Sequence, residues 1–289
     1  MILARRAPGL RPSDLVRRAV PLAVVLFSAC CAVSANAQLL VAPLRAVLSA
    51  DTPNATIEVS NPSDRIVDVR ADWLDLAADI DGYLAAGADA RARLSAAPFL
   101  NLEPASMRLE PGGRARVQLT LRKGADIPAG ERRSHLLLSA APARSSIRRA
   151  SGGLNADISL SISLPVLVRG AGDVSSVRAR FEATHLDRDN AGDLMLVSNI
   201  QRSGTFSPYG ALIATFEPKP GRQQEELARL ENVAAPIDSP AARIQLPLGV
   251  DVLPAGTLKL RFEGRAEFEG KTFASKRFDI APPPGATSE

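Results

Sequence analysis

Cysteine and histidine are nearly absent: the 289 residues hold Cys30, Cys31, His135 and His185 and no others of either type. Both cysteines fall in the first 37 residues, which read as a removable export signal. The remaining chain therefore has no disulfide and must hold its fold by apolar burial alone. Aromatics make up 4% of the sequence, too few for a surface that stacks sugars or bases. Neither G-x-S-x-G nor H-E-x-x-H occurs, and the two histidines sit in different halves of the chain. Asp187, Asp189, Asn190, Gly192 and Asp193 approach a calcium loop. Ala191 takes a ligand position, however, and Ser198 stands where a bidentate Glu is needed, so an Asx-rich hairpin turn is the better reading. No enzyme, cofactor or metal is expected.

Residues 1–37 carry a positive start (Arg5, Arg6, Arg11, Arg17, Arg18) and an apolar stretch from Val20 to Val33. They end on Ala35-Asn36-Ala37, a small-x-small cleavage site before Gln38. The apolar run of about 14 residues is short of the roughly 20 that a membrane span needs. Phe27-Ser28-Ala29-Cys30 is a weak lipoprotein box and stands as the alternative processing site. Export of the chain with cleavage after Ala37 is expected, with no membrane insertion of its mature part. Removing five of the 35 basic and one of the 31 acidic residues leaves thirty of each. The excess positive charge thus belongs to the signal and gives no reason to expect nucleic acid as a partner.

About 250 residues remain, enough for two domains. Leu44–Leu48, Thr56–Ser60 and Ile66–Trp73 read as strands, the last alternating Val and Trp against charge, with Asn61-Pro62-Ser63-Asp64 as a turn. Residues 75–98, rich in Ala and Asp, read as a loop with some helical turn. Phe99–Glu103, Met107–Leu109, Ala115–Leu121 and Ser134–Ala140 continue the strand pattern, broken by Pro111-Gly112-Gly113 and Pro128-Ala129-Gly130. A basic loop (Arg144, Arg148, Arg149) follows. About seven short strands in 130 residues, without a long helix, predict an immunoglobulin-like β-sandwich. Gly170–Gly172 reads as a hinge. Six further strands, with a helix-compatible stretch at Glu225–Glu231, predict a second sandwich. The expected fold is all-β: a signal at 1–37, and two immunoglobulin-like β-sandwich domains in series at 38–170 and 171–289.

The clearest pattern is Leu154–Arg169. Ile158, Leu160, Ile162 and Leu164 alternate with Ser159, Ser161 and Ser163, which puts an aliphatic row on one face of a strand and hydroxyls on the other. Pro165 removes a ladder donor and suits an edge strand. Read by itself, such a row packs into its own sandwich, with the serines in water.

Arg45-Ala46-Val47, Val59–Asp64, Phe99–Leu102, Leu109-Glu110-Pro111-Gly112 and the segment from Ile127-Pro128 through Arg132 and Ser134 precede that strand. In order and spacing they resemble the PapD-like periplasmic chaperones that assemble surface pili. The likeness spans most of the chain after the signal and is strongest over 41–170. It implies a boomerang of two domains that binds a pilus or fimbrial subunit by adding the last strand of the first domain to the subunit's incomplete fold. Delivery to an outer-membrane usher would follow. The family's donor positions fall on Leu154, Ala156, Ile158 and Leu160, and its first-strand carboxylate anchor on Arg45. Its second anchoring cation, a Lys, falls on Pro165, with Arg169, Arg70 and Arg108 as possible substitutes. The Arg of its inter-domain ion pair falls on Arg169, but the acidic partner falls on Arg133, with Glu131 nearby. The rival reading is a structural or adhesive envelope protein of the same fold that keeps its strand for itself.

Overall fold

A computed structural model describes residues 39–142, 160–218 and 223–281. The expectations for the signal, the 144–149 arginines, Leu154, Ala156 and Ile158 lie outside the described residues.

The first sandwich closes two sheets over one core. One sheet has the order β1–β3–β9–β7, built from Leu40–Ala42 (β1), Asn54–Ser60 (β3), Arg114–Leu121 (β9) and Leu100–Glu103 (β7). The other is β2–β11–β10–β4–β8, from Ala46–Ser49 (β2), Leu160–Arg169 (β11), Glu131–Pro142 (β10), Val67–Leu74 (β4) and Ser106–Leu109 (β8). Alternation decides which side chains meet between them. Ile57, Val59, Val117 and Leu119 face inward from one sheet, and Val67, Val69, Leu136, Leu138, Leu164 and Val166 from the other, all buried. The turn at Asn61 is held from within. Its buried amide Nδ2 donates to the carbonyls of Arg65 (2.7 Å), Leu109 (3.2 Å) and Glu110 (3.1 Å), while Oδ1 accepts from Ser63.

Residues 75–98 depart from the expected loop with some helical turn in their first half only. Leu76–Asp79 (β5) and Gly82–Ala85 (β6) form a hairpin, followed by a short helix, Ala88–Leu94 (α1). The hairpin reaches the second sandwich, where Arg243 N donates to Ile80 O (2.7 Å). Its backbone groups are satisfied by the other domain, a signal that local composition does not carry.

The second sandwich pairs the sheet β12–β13–β16, from Arg178–Arg188 (β12), Leu194–Ser203 (β13) and Ala241–Pro247 (β16), with a sheet of order β15–β14–β17–β18. Its strands are Glu225–Ala234 (β15), Tyr209–Glu217 (β14), Gly256–Gly264 (β17) and Thr272–Ile280 (β18). Its separate core includes Leu196, Ile200, Leu212, Leu258, Leu260 and Phe262. The helix-compatible 225–231 stretch is the first part of β15, an edge strand with mostly exposed side chains. Pairing with β14 overrides its helix propensity. The Asx-rich segment is a hairpin turn between β12 and β13: Asp189 Oδ1 accepts from the backbone N–H of Ala191 (2.8 Å) and Asp193 (2.9 Å).

The junction between sandwiches is pinned where a hinge was expected. Gly170 N donates to Gly130 O (2.9 Å), and Gly130 N to Ala171 O (2.8 Å). A Cβ on Gly170 would stand 2.1 Å from Pro128 O, so glycine here permits close approach of two backbones.

Candidate functional site: a half-open strand and the inter-domain cleft

Strand β11 is covered unequally on its two sides. Along its whole length it pairs antiparallel with β10, from Leu160 opposite Ala140 to Arg169 opposite Glu131. On the other side, parallel pairing with β2 covers only Val166–Arg169. Among the described residues, the edge from Leu160 to Pro165 has no strand beside it. Pro165 therefore sits where the second partner stops, so the strand is central at one end and an edge at the other.

The two faces of β11 also differ. Leu164, Val166 and Val168 point into the core and Ile162 packs against it, as the self-packing reading of the row expects; Leu160 is half-buried. Ser161 and Ser163 are exposed on the opposite face, where the Ser161 and Ser139 hydroxyls bond at 3.0 Å. Further along that face come Pro165, Leu167 and Arg169, opposite His135, Arg133 and Glu131 of β10. These six residues belong to the first domain's side of the domain junction, together with Arg45 and the β5–β6 hairpin.

Three ionic connections cross that junction, among them an exposed pair of Arg243 and Asp81 (2.7 Å). Arg45, immediately before β2, donates through Nη1 to Glu267 Oε2 (3.1 Å) and through Nη2 to Glu267 Oε1 (2.8 Å), with its guanidinium 4.2 Å from the centre of the Tyr209 ring. Glu267 also meets Arg169, whose Nη1 lies 2.7 Å from Oε1 and whose Nε donates to Glu131 Oε2 (2.9 Å). The Ser207 hydroxyl donates to Glu131 Oε1, so four charges and a hydroxyl run continuously from one domain to the other. Phe206 and Phe268 flank the Arg169 guanidinium at 4.6 and 5.7 Å.

Another connection is Arg133 to Asp238. Arg133 Nη2 donates to Asp238 Oδ2 (2.9 Å), which also accepts from Ala78 N of the hairpin (2.6 Å). The side chains of both residues are under one-tenth exposed. Burial tends to raise the carboxyl pKa of both Glu267 and Asp238. The arginine hydrogen bonds and charges outweigh it and hold each below the ordinary carboxylate range. Arg133, found where an acid was expected, thus meets an acid on the other domain.

Of the other cations considered for the anchor, Arg70 pairs with Asp72 (3.1 Å) and Arg108 with Asp68 (2.7 Å). Both ion pairs are exposed on β4 and β8, away from the cleft walls. Glu267, Asp238, Tyr83 and Tyr209 were not singled out in the sequence, and no local pattern marks them.

Between the sandwiches lies a cleft of about 490 Å³. Ser163, Pro165 and Leu167 form part of its wall, so the open edge of β11 runs into it. Solved structures similar to this chain include several of chaperones. The YadV chaperone is 8% identical, with 84% of this chain and 99% of that chain covered, at a TM-score of 0.45. The E. coli chaperone DraB is 17% identical, with 84% and 98% covered, at 0.40. A chain in the Salmonella enterica SafA pilin complex with the SafB chaperone is 16% identical, with 84% and 96% covered, at 0.42. No family model and no curated protein matches the sequence.

His135 completes the cleft wall. It is 4% exposed, its Nδ1 has no hydrogen-bond partner, and the Tyr83 ring meets it edge-on at 5.2 Å between centroids. Burial, reinforced by the charge of Arg133, pushes its pKa down to about 4, so the imidazole is neutral at pH 7.

Proposed function

We propose that this chain is a periplasmic, non-enzymatic chaperone. It binds a pilus or fimbrial subunit by strand addition along β11 and the segment before it, then delivers the subunit to an outer-membrane usher. The observation that carries this reading is the half-open strand. The first sandwich holds Leu160–Pro165 extended, with one side satisfied by β10 and the other without a strand partner among the described residues, and an unpaired edge of this kind is a template for an incoming strand. Leu160 is the described member of the donor set Leu154, Ala156, Ile158 and Leu160. In the unbound chain Arg45 and Arg169 clamp the domains through Glu267, and a client carboxylate reaches Arg45 only by exchange with that side chain.

The test is co-expression with candidate subunits, recovery from the periplasm, and identification by mass spectrometry of what co-purifies. A one-to-one complex with a subunit that aggregates alone, lost in Leu160→Asp at unchanged melting temperature, is the expected result. Recovery without any subunit, or global unfolding of Leu160→Asp, favours the envelope-protein reading.

A further inference from the structure

The cleft has a composition that sets what it accepts. Leu44, Leu76, Pro165 and Ile244 contribute apolar surface, with one tyrosine from each domain, Tyr83 and Tyr209. Three arginines reach its walls, and each already faces a carboxylate of the same chain: Arg45 with Glu267, Arg133 with Asp238, and Arg243 with Asp81 at 2.7 Å. Glu231, also on the wall, lies within ion-pair distance of Arg229 and Arg265. The remaining titratable wall groups are His135, neutral at pH 7, and the two phenols, whose pKa values burial raises. Hence, among the described residues, no arginine of the cleft wall lacks a carboxylate partner. A carboxylate entering it would lose water without gaining a free counter-ion, and would approach Glu267 and Glu231.

We infer that the cleft is a selectivity pocket for an uncharged apolar side chain, carried by a protein segment that runs along the open edge of β11. This rests on the strand-addition reading and adds the chemistry of the segment's end. A strand laid beside Leu160–Pro165 passes Ser163 and Pro165, which belong to both the edge and the cleft wall, so its next residues enter the cleft. The occupant is an internal stretch of the partner with an aromatic or long aliphatic residue; a free chain terminus is disfavoured. Glu267 enforces the choice by holding Arg45 bidentately.

The test uses two small probes that differ in one group, N-acetyl-phenylalanine amide and N-acetyl-phenylalanine, at pH 7. Binding is followed by the NMR shifts of the His135 ring in the full mature chain. The amide should shift His135 saturably. The acid, which must bury an unmatched carboxylate, should bind at least about tenfold more weakly. Leu44→Asp, at a position half exposed, should weaken the amide without changing the melting temperature. Glu267→Gln should release Arg45 and bring acid binding up to that of the amide. Acid binding to the unaltered protein as tight as the amide overturns the inference, as does failure of the amide to shift His135. The strand-addition reading survives either outcome if a subunit still co-purifies. Conversely, amide selectivity without any co-purifying subunit leaves the pocket standing and removes the chaperone.

Discussion

Acid should destabilise the first sandwich well above the pH at which its carboxylates titrate, and His135 should be the cause. Its pKa is pushed from 6.5 down to about 4, mainly by burial and then by Arg133, while Asp75 and Asp238 pull weakly the other way. Because the folded state disfavours the proton, the contribution of neutral His135 is complete above the unfolded pKa near 6.5 and is lost as pH falls toward 4. The slope in that window is about 1.4 kcal/mol per pH unit, so by pH 5 the loss reaches about 2 kcal/mol. The depressed carboxyls of Glu267 and Asp238 lose their contribution as pH falls through the usual carboxylate range and on through their lower folded values, which leaves pH 5–7 mainly to the imidazole. Trp73, the sole tryptophan, packs against the first core and reports its unfolding by fluorescence. Urea titrations at pH 7 and pH 5 should show the loss in the native chain. They should show almost none of it in His135→Phe, which keeps a ring against Tyr83. Equal losses in both proteins, or an imidazole pKa of 6 or above measured by NMR, would refute the argument.

Arg169→Ala strands Glu131, which is buried among the second domain's Ser207 and the emptied site, and should cost about 3–5 kcal/mol in urea unfolding. The paired change Arg169→Met with Glu131→Leu should recover most of it; a double variant as unstable as the single one removes buried charge as the cause. Asn61→Ala removes the amide donor to the Leu109 and Glu110 carbonyls and the acceptor of the Ser63 N–H, leaving Arg65 O only the Ser63 hydroxyl, and should lower stability by about 2–3 kcal/mol, read as a lower urea midpoint with unchanged slope. Gly170→Ala places a methyl 2.1 Å from Pro128 O and should lower the melting temperature through overpacking worth about 1–3 kcal/mol. An unchanged melting temperature there would mean that the junction yields as a hinge does.

The β-sandwich was legible because its information is local. Ile57 and Val59, Val67 and Val69, and Val117 and Leu119 sit two apart on their strands, and each pair lands on the core face. Asn61-Pro62-Ser63-Asp64 turns because an Asn side chain can replace missing backbone partners, a property of the residue itself. Where the determining contacts were distant, local reading gave the wrong element. Glu225–Glu231 has good helix formers and becomes a strand because β14 offers a free ladder. Leu76–Ala85 lacks strong alternation and becomes a hairpin with its tip bonded to the second domain. Gly170 reads locally as a hinge because glycine is permissive, and only Pro128 placed beside it shows that close approach is what the position requires.

The charges at the domain junction show where such reading stops. Arg45 and Glu267 are 222 positions apart, and which acid meets which cation is decided by how two sandwiches dock. One part of the answer was nevertheless present in a single strand. On β10, Glu131, Arg133 and His135 occupy alternate positions, so they share one face, and the strand continues as Leu136, Leu137 and Leu138. Three titratable residues on one face of a strand set against the buried Leu167 and Arg169 cannot all be hydrated. That face must be covered by groups that answer them: Arg169 and Ser207 for Glu131, Asp238 for Arg133, and for His135 only Tyr83 and a proton kept off. The face thus demanded a second, acid-bearing domain before any acid could be named. Because that domain brings Glu267 and Asp238, and the first domain's Asp81 meets Arg243, no described arginine of the cleft beside the open strand lacks a carboxylate.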